Sequence, residues 1–571
     1  MRAEMIATIR RQMLRKSGVA SVLLVLACGA FAASPSERTE PQGSEGDLLI
    51  TGATVIDGTG RPPQVGTAIL VRDGRVLQVG SDKQLRQQSG TARILDASGL
   101  YVLPGLIDSH VHYGDWGVRL YLNYGVTTVI DIGNQTEWAV AQREGIRSGK
   151  IEGPRLFTTG NHLNGPPAAP GETRAGDTGG WATFVSDGPT ARAAAEQLAA
   201  QGVDGFKIQE RLSEDSLRAI VATAETRKIP VVGHTVNARD AARLGIRFVE
   251  HMRPIIRATT PERGAASDRA AGDNPGDDAM DESRYGELID LLVAERVHIN
   301  PTVFLAYLQV SRHRDAYKKE DLALFPTLEG VPEYLKQRWL EYYDRKADEP
   351  TKTGHRKVSR FLVQFVERGG RLLSGTDSGR RLIPGLSLHR EMELLVEAGI
   401  SPLEVIRATT QYPAEFFGKQ EELGTIQPGR AADFLIVQGD PLRDISNTRR
   451  ISHVVKAGKV IDRSSHVYKN PLPRPVTEEA SPVLHSIRPV TFVEGERNGQ
   501  LVLTGSDFVP GTIVRIGDHT LPSALLADGS LRVQVPREVT ASVGTYPVSV
   551  FNPLPGAGAS NTRYFFVNFS K

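Results

Sequence analysis

Between Gly105 and about Gly418 the chain alternates short apolar strands with amphipathic helical stretches, and few folds accept that alternation. Strands are expected at 126–132, 155–159, 205–209, 231–234, 248–251, 297–301 and 371–377. Between most of them, stretches such as 191–201, 213–227, 238–244 and 357–368 carry apolar residues at helical spacing. Adding the apolar run that ends at His112 makes eight strands. Eight consecutive βα units predict an α/β chain built on a (β/α)8 TIM barrel, whose functional groups gather at the C-terminal ends of the strands. A doubly wound open sheet would need a glycine-rich phosphate turn after an early strand, and the sequence has none.

The strand ends carry a consistent set of residues. The first ends in His110 and His112, which share a face because side chains two apart on an extended strand point the same way. The fourth supplies Lys207, the fifth His234, the sixth His251 and the eighth Asp377. Each alone has a plain reading: a hydrogen-bonded core histidine, a solvated lysine, or a helix cap in Thr376-Asp377-Ser378-Gly379. Six such residues at one barrel face point instead to a metal site, since imidazole and carboxylate are ligands of divalent cations.

Pro104-Gly105-Leu106-Ile107-Asp108-Ser109-His110-Val111-His112, with Lys207, His234, Val249-Glu250-His251 and Gly375-Thr376-Asp377, resembles the amidohydrolase superfamily over about residues 47–462. Within it, the chain is similar to the imidazolonepropionase-like and Xaa-Pro dipeptidase (prolidase) branch. The resemblance implies two divalent metal ions, usually zinc. His110 and His112 would hold one ion and His234 and His251 the other, with a carbamylated Lys207 bridging both and Asp377 contacting one metal and the nucleophilic water. The chemistry agrees, because an ammonium repels a cation whereas a carbamate offers two anionic oxygens. Two dications would bring the pKa of a bridging water toward about 7, leaving hydroxide to attack an amide carbonyl. Asp377 would then move the proton to the departing nitrogen.

His162, in Thr159-Gly160-Asn161-His162, resembles a family histidine that hydrogen-bonds the substrate carbonyl; a solvent-exposed loop histidine is the plain alternative. Arg253, Arg257, Tyr307 and Arg380 follow strands six, seven and eight and are candidates to hold a substrate carboxylate, against the plainer reading of solvated loop residues. Met252 and Arg253 stand where the branch usually continues with glycine. The expected activity is hydrolysis of a C–N amide bond in a small peptide-like substrate, dipeptides first. A cyclic amide is the alternative substrate, and a non-catalytic, metal-retaining adhesion protein the alternative function.

The flanks add two β-rich parts. Residues 48–55 and 67–79 read as strands, the second broken by an Asp73-Gly74 hairpin turn. Gly424-Thr425-Ile426, Pro428-Gly429, Ala431-Ala432-Asp433-Phe434 and Gly439-Asp440-Pro441 resemble the family's returning strands. Residues 47–104 and 420–462 are therefore expected to form a composite β-sandwich beside the barrel at 105–419. Loops 165–181, 259–282 and 304–353 are long enough to wall the barrel mouth. Residues 463–481, rich in Pro, Ser and Glu, read as a linker. Beyond it, 482–571 is strand-rich, as in a small β-sandwich. There Ile487-Arg488-Pro489, Leu503-Thr504-Gly505-Ser506-Asp507-Phe508, Pro510-Gly511, Gly544-Thr545-Tyr546-Pro547-Val548 and Asn552-Pro553 resemble the IPT/TIG Ig-like family, which implies a rigid appendage.

At the other end, Arg2, Arg10, Arg11, Arg15 and Lys16 precede an apolar run, 18–32, closing in Ala30-Phe31-Ala32, a secretory signal pattern over 1–32. The run falls short of the ~20 apolar residues of a membrane span. Export to the periplasm or beyond is expected. Cys28, the only cysteine, lies in Val25-Leu26-Ala27-Cys28-Gly29, which looks like a lipobox, so it is either removed with the signal or acylated as a lipid anchor. Neither outcome allows a disulfide within the chain. A net charge of +2 over 571 residues gives no basic stripe, which excludes nucleic acid from the expected partners. A small-molecule or dipeptide substrate is the expected partner, and homo-oligomerisation is left open.

Overall fold

A computed structural model describes residues 47–166, 182–235, 237–261, 276–328, 331, 333–379, 381–464, 482–497, 499–517, 519–552, 560 and 562–568. The signal-like segment with Cys28, residues 465–481 of the linker, Arg380 and most of the 165–181 and 259–282 loops lie outside the described residues.

Among the described residues, parallel strands β1 (Leu106–Val111), β2 (Val126–Asp131), β3 (Arg155–Thr158), β4 (Phe206–Ile208), β5 (Val231–Gly233), β6 (Phe248–Glu250) and β7 (His298–Asn300) form most of a ring. A short strand, His162–Asn164, pairs with β4 through Leu163. Residues 371–378 close the ring as an extended segment. Leu373 N donates to Ile299 O of β7 at 3.0 Å, and Ser109 N of β1 donates to Ser374 O at 3.1 Å. Every residue of β1 and β2 is buried, the pattern of strands covered on both faces. The helices that follow start where the sequence supplies caps: Asp187 accepts from Thr190 N, Ser213 from Ser216 N and Asn237 from Arg239 N. Those caps fix the far ends of loops that leave the strand tips.

Both flanks contribute to one eight-stranded sheet. Phe434–Gln438 lies antiparallel to Leu100–Pro104, with Leu435 opposite Leu103. Alternation decides where each side chain goes. Leu103 and Leu435 enter the barrel core, while Val102, Phe434 and Ile436 join Ile50, Val55 and Val455 in a separate core.

The 304–353 insert stands against the barrel mouth. Trp339 Nε1 donates to Gly379 O at 3.3 Å, just past Asp377, and its ring packs with Leu120, Ile383 and Leu386. Arg390, 1% exposed on the helix Leu386–Glu397, ties the insert down through Asp321 at 2.6 Å and Glu320 at 2.9 Å. The strands of the C-terminal part form an eight-stranded sheet with its own core, including Leu484, Leu503, Val514, Val533, Val550 and Phe565. Among the described residues no helix is long and apolar enough to cross a membrane.

Candidate metal centre

The tips of β1, β4, β5, β6 and the closing segment converge. Ring centroids lie 5.8 Å apart for His110 and His112, 5.2 Å for His110 and His251, and 5.0 Å for His234 and His251. Asp377 Oδ1 is 3.1 Å from His112 Nε2 and 3.8 Å from His110 Nε2. Lys207 Nζ is hydrogen-bonded to Glu250 Oε2, and His234 Nε2 lies 3.5 Å from that same oxygen. Two sets, His110 with His112 and Asp377, and His110 with Glu250 and His251, each bring their ligand atoms within 4.8 Å of one another. The structure thus gathers His110, His112, Lys207, His234, His251 and Asp377, and it adds Glu250.

The backbone explains that addition. In a regular strand Glu250 and His251 would face opposite ways. His251 has φ +60°, in the left-handed region, and the turn it makes brings carboxylate and imidazole into one donor group. Asp377 is also left-handed, at φ +56°, and its N–H donates to His110 O at 2.8 Å. Asp108, fully buried, fixes that arrangement. It accepts from Thr376 Oγ1 at 2.7 Å, Thr376 N at 3.1 Å and His110 N at 3.3 Å.

Burial holds the His110 and His234 imidazoles well below their usual range and brings His251 to about 4. Neutral imidazole is the form that ligates metal. Burial alone would raise Asp377, but the hydrogen bond from His112 and the nearness of His110 and His251 keep it well below the usual carboxylate range. In the Lys207–Glu250 pair, burial pushes the amine down and the carboxyl up, against their mutual attraction. Glu250 Oε1 is buried with no hydrogen-bond partner among the described residues, an oxygen a cation would satisfy. The nitrogen and oxygen donors fit one or two divalent cations.

The remaining candidates are placed differently. His162 is 4% exposed, not a solvent-exposed loop residue, and it packs so tightly on Gly133 that a Cβ there would lie 1.7 Å from its Nε2. Tyr307 is buried in the core, where its hydroxyl donates to Asp277 Oδ2 and its ring lies 5.1 Å from that of His355. Arg253 is exposed and Arg257 half-buried on the helix Arg253–Thr259 that leaves His251. Arg381, beside the undescribed Arg380, brings Nη1 to 3.7 Å from Asp377 Oδ2. The sequence does not single out Arg381, since the direction of a side chain in the turn after Asp377 is not set by residue type. A pocket of about 160 Å³ opens beside His234, lined by Gln209, Arg211, Leu217, Thr235 and Leu244 among others.

Residues 101–461 match the amidohydrolase family model, and residues 482–566 match the IPT/TIG domain model. The chain is 34% identical over 123 residues to an uncharacterized protein of Mycobacterium tuberculosis, covering 20% of each. It is 28% identical over 246 residues to an allantoinase of Rubrobacter xylanophilus, covering 39% of this chain and 48% of that one. The matched stretches thus span about a fifth and about half of those relatives. A crystal structure of a Xaa-Pro dipeptidase with methionine bound in the active site aligns at TM-score 0.53 and 21% identity, over 73% of this chain and 100% of that one. A molinate hydrolase aligns at TM-score 0.55 and 23% identity, over 73% and 95%. These solved structures share the fold, and with the family model matching well over half its length the chain belongs to the amidohydrolase family and carries an IPT/TIG domain.

Proposed function

We propose that the chain is an exported, metal-dependent amidohydrolase that cleaves the C–N amide bond of a small peptide-like substrate carrying a carboxylate, with dipeptides favoured. The observation that carries this reading is the meeting of four imidazoles, Asp377, Lys207 and Glu250 at the C-terminal rim of the barrel. The likeness to a Xaa-Pro dipeptidase structure supports the dipeptide, and the N-terminal signal pattern supports export. Two divalent cations, zinc first, bound among these residues would supply a water of lowered pKa and polarise an amide carbonyl.

The chain's own groups divide the rest. Lys207, carbamylated, would bridge the cations, and its burial already disfavours the ammonium that would repel them. Asp377, held ionised beside His112, accepts a proton from water and gives it to the leaving nitrogen. Arg381, with a side chain 49% exposed and one end turned toward Asp377, is placed to meet a substrate carboxylate. His162, buried against Gly133, is the candidate donor to the substrate carbonyl.

The test is a dipeptide and N-acyl amino acid library offered to zinc-loaded protein. Two product fragments are expected, and Asp377→Asn should lower turnover ~10²–10⁴-fold with metal content unchanged. A single ring-opened product heavier by one water would move the assignment to cyclic amides. Metal-loaded protein that turns over no amide would leave only the adhesion reading.

A further inference from the structure

We propose that Thr302 is a positioning residue that fixes the tautomer of His251 and so aims its Nε2 at the metal centre. The inference rests on the reading of His251 as a metal ligand and concerns a residue that touches neither metal nor substrate. It follows from counting protons. The Thr302 hydroxyl has one, and it donates it to Pro301 O at 2.8 Å. Its oxygen also lies 2.7 Å from His251 Nδ1, so with its proton committed it accepts from Nδ1–H. A neutral imidazole protonated at Nδ1 keeps its lone pair on Nε2, and a fixed partner on the far nitrogen is what sets tautomer and ring orientation at metal sites.

The surrounding chain is built to hold that hydroxyl in place. Thr302 is 1% exposed and sits at φ +47°, a left-handed conformation that a β-branched residue rarely adopts. The next two N–H groups hold the turn in that shape: Val303 N and Phe304 N donate to the two oxygens of Glu391, at 2.9 and 2.6 Å. Glu391 is itself fully buried on the helix Leu386–Glu397. On the other side, His251 N donates to Asn300 O at 2.7 Å, so β6 and β7 hold the imidazole and the hydroxyl in one frame.

Thr302→Val keeps the β-branched shape and removes the hydroxyl, whereas Thr302→Ser keeps the hydroxyl. Zinc affinity of the full chain, measured by chelator competition, is expected to fall ~10–100-fold in Thr302→Val and to stay within about threefold of wild type in Thr302→Ser. A second measurement needs no Thr302 variant: long-range ¹H–¹⁵N spectra of metal-free wild-type protein, with the His251 signals identified by their loss in His251→Asn, are expected to show Nδ1 protonated. An Nε2–H tautomer there overturns the proposal, as does wild-type zinc affinity in folded Thr302→Val, or an equal loss in folded Thr302→Ser. Wild-type protein that takes up no zinc overturns the ligand reading itself, a result distinct from any of these.

Discussion

Glu250 and Lys207 show how one residue's cost depends on its partner. Both side chains are almost fully buried, and each carries a charge that water would otherwise solvate. Removing one partner of such a pair costs about 3–5 kcal/mol, because the other is left buried and uncompensated, while replacing both by apolar groups is close to neutral. In metal-free protein, urea unfolding of Glu250→Gln should therefore show a stability loss of about 3–5 kcal/mol, and the double variant Lys207→Met/Glu250→Leu should recover most of it while binding no metal. Equal losses in the single and double variants would show that the pair contributes through packing alone. Glu250 was visible in the sequence inside Val249-Glu250-His251, yet period-two alternation turns it away from His251. Only the left-handed backbone at His251 reverses that, and no residue type in the motif announces it. Arg381 and Thr302 escaped for the same reason, since their roles come from where the chain turns after the strands.

Among the elements, the barrel strands were the most legible, because strands covered on both faces appear as apolar runs whose limits are marked by turn residues. The expected 248–251 against the observed Phe248–Glu250 shows the size of the difference, one residue given over to the turn. The helix Leu386–Glu397 carries no such signature in the sequence. Ten consecutive residues, Leu386 to Leu395, are buried, so it has no exposed face to set against an apolar one, and its polar and charged residues are spent on buried partners. His389 is one of them. Its Nε2 lies 2.8 Å from Tyr124 O and its Nδ1 2.9 Å from Thr448 Oγ1, and burial lowers its pKa from 6.5 to about 4. Between those values the unfolded chain binds a proton that the folded chain does not. The neutral ring therefore stabilises the fold fully above about pH 6.5, and that contribution declines as pH falls through the window, by ~3 kcal/mol at pH 4. Unfolding free energies measured at pH 7 and pH 4.5 should fall less steeply with acid in His389→Gln than in wild type, by close to one proton. Parallel slopes in the two proteins would mean that His389 is protonated in the folded state.

Across the whole molecule, the hydrophobic cores divide the chain. Among the described residues, the barrel and flanking-sheet cores draw on residues between 48 and 461, and the C-terminal core on residues between 484 and 567, with none shared. Units with separate cores need not unfold together. Every residue of the candidate metal centre belongs to the first. A ligand stabilises only the unit that binds it, by about 4 kcal/mol when free ligand exceeds its Kd ~1,000-fold. Calorimetry of the full chain should then resolve two transitions, the IPT/TIG-matched one near ~60 kcal/mol in enthalpy for its roughly 85 residues. Stripping metal with a chelator should lower the midpoint of the barrel transition and leave the other where it was, and restoring zinc should reverse the shift. A chain ending at residue 464 should keep the metal-sensitive transition and its metal stoichiometry. If both transitions move together on chelation, or if the shortened chain loses its metal, the two cores are coupled, and the C-terminal part is a working piece of the metal-binding unit.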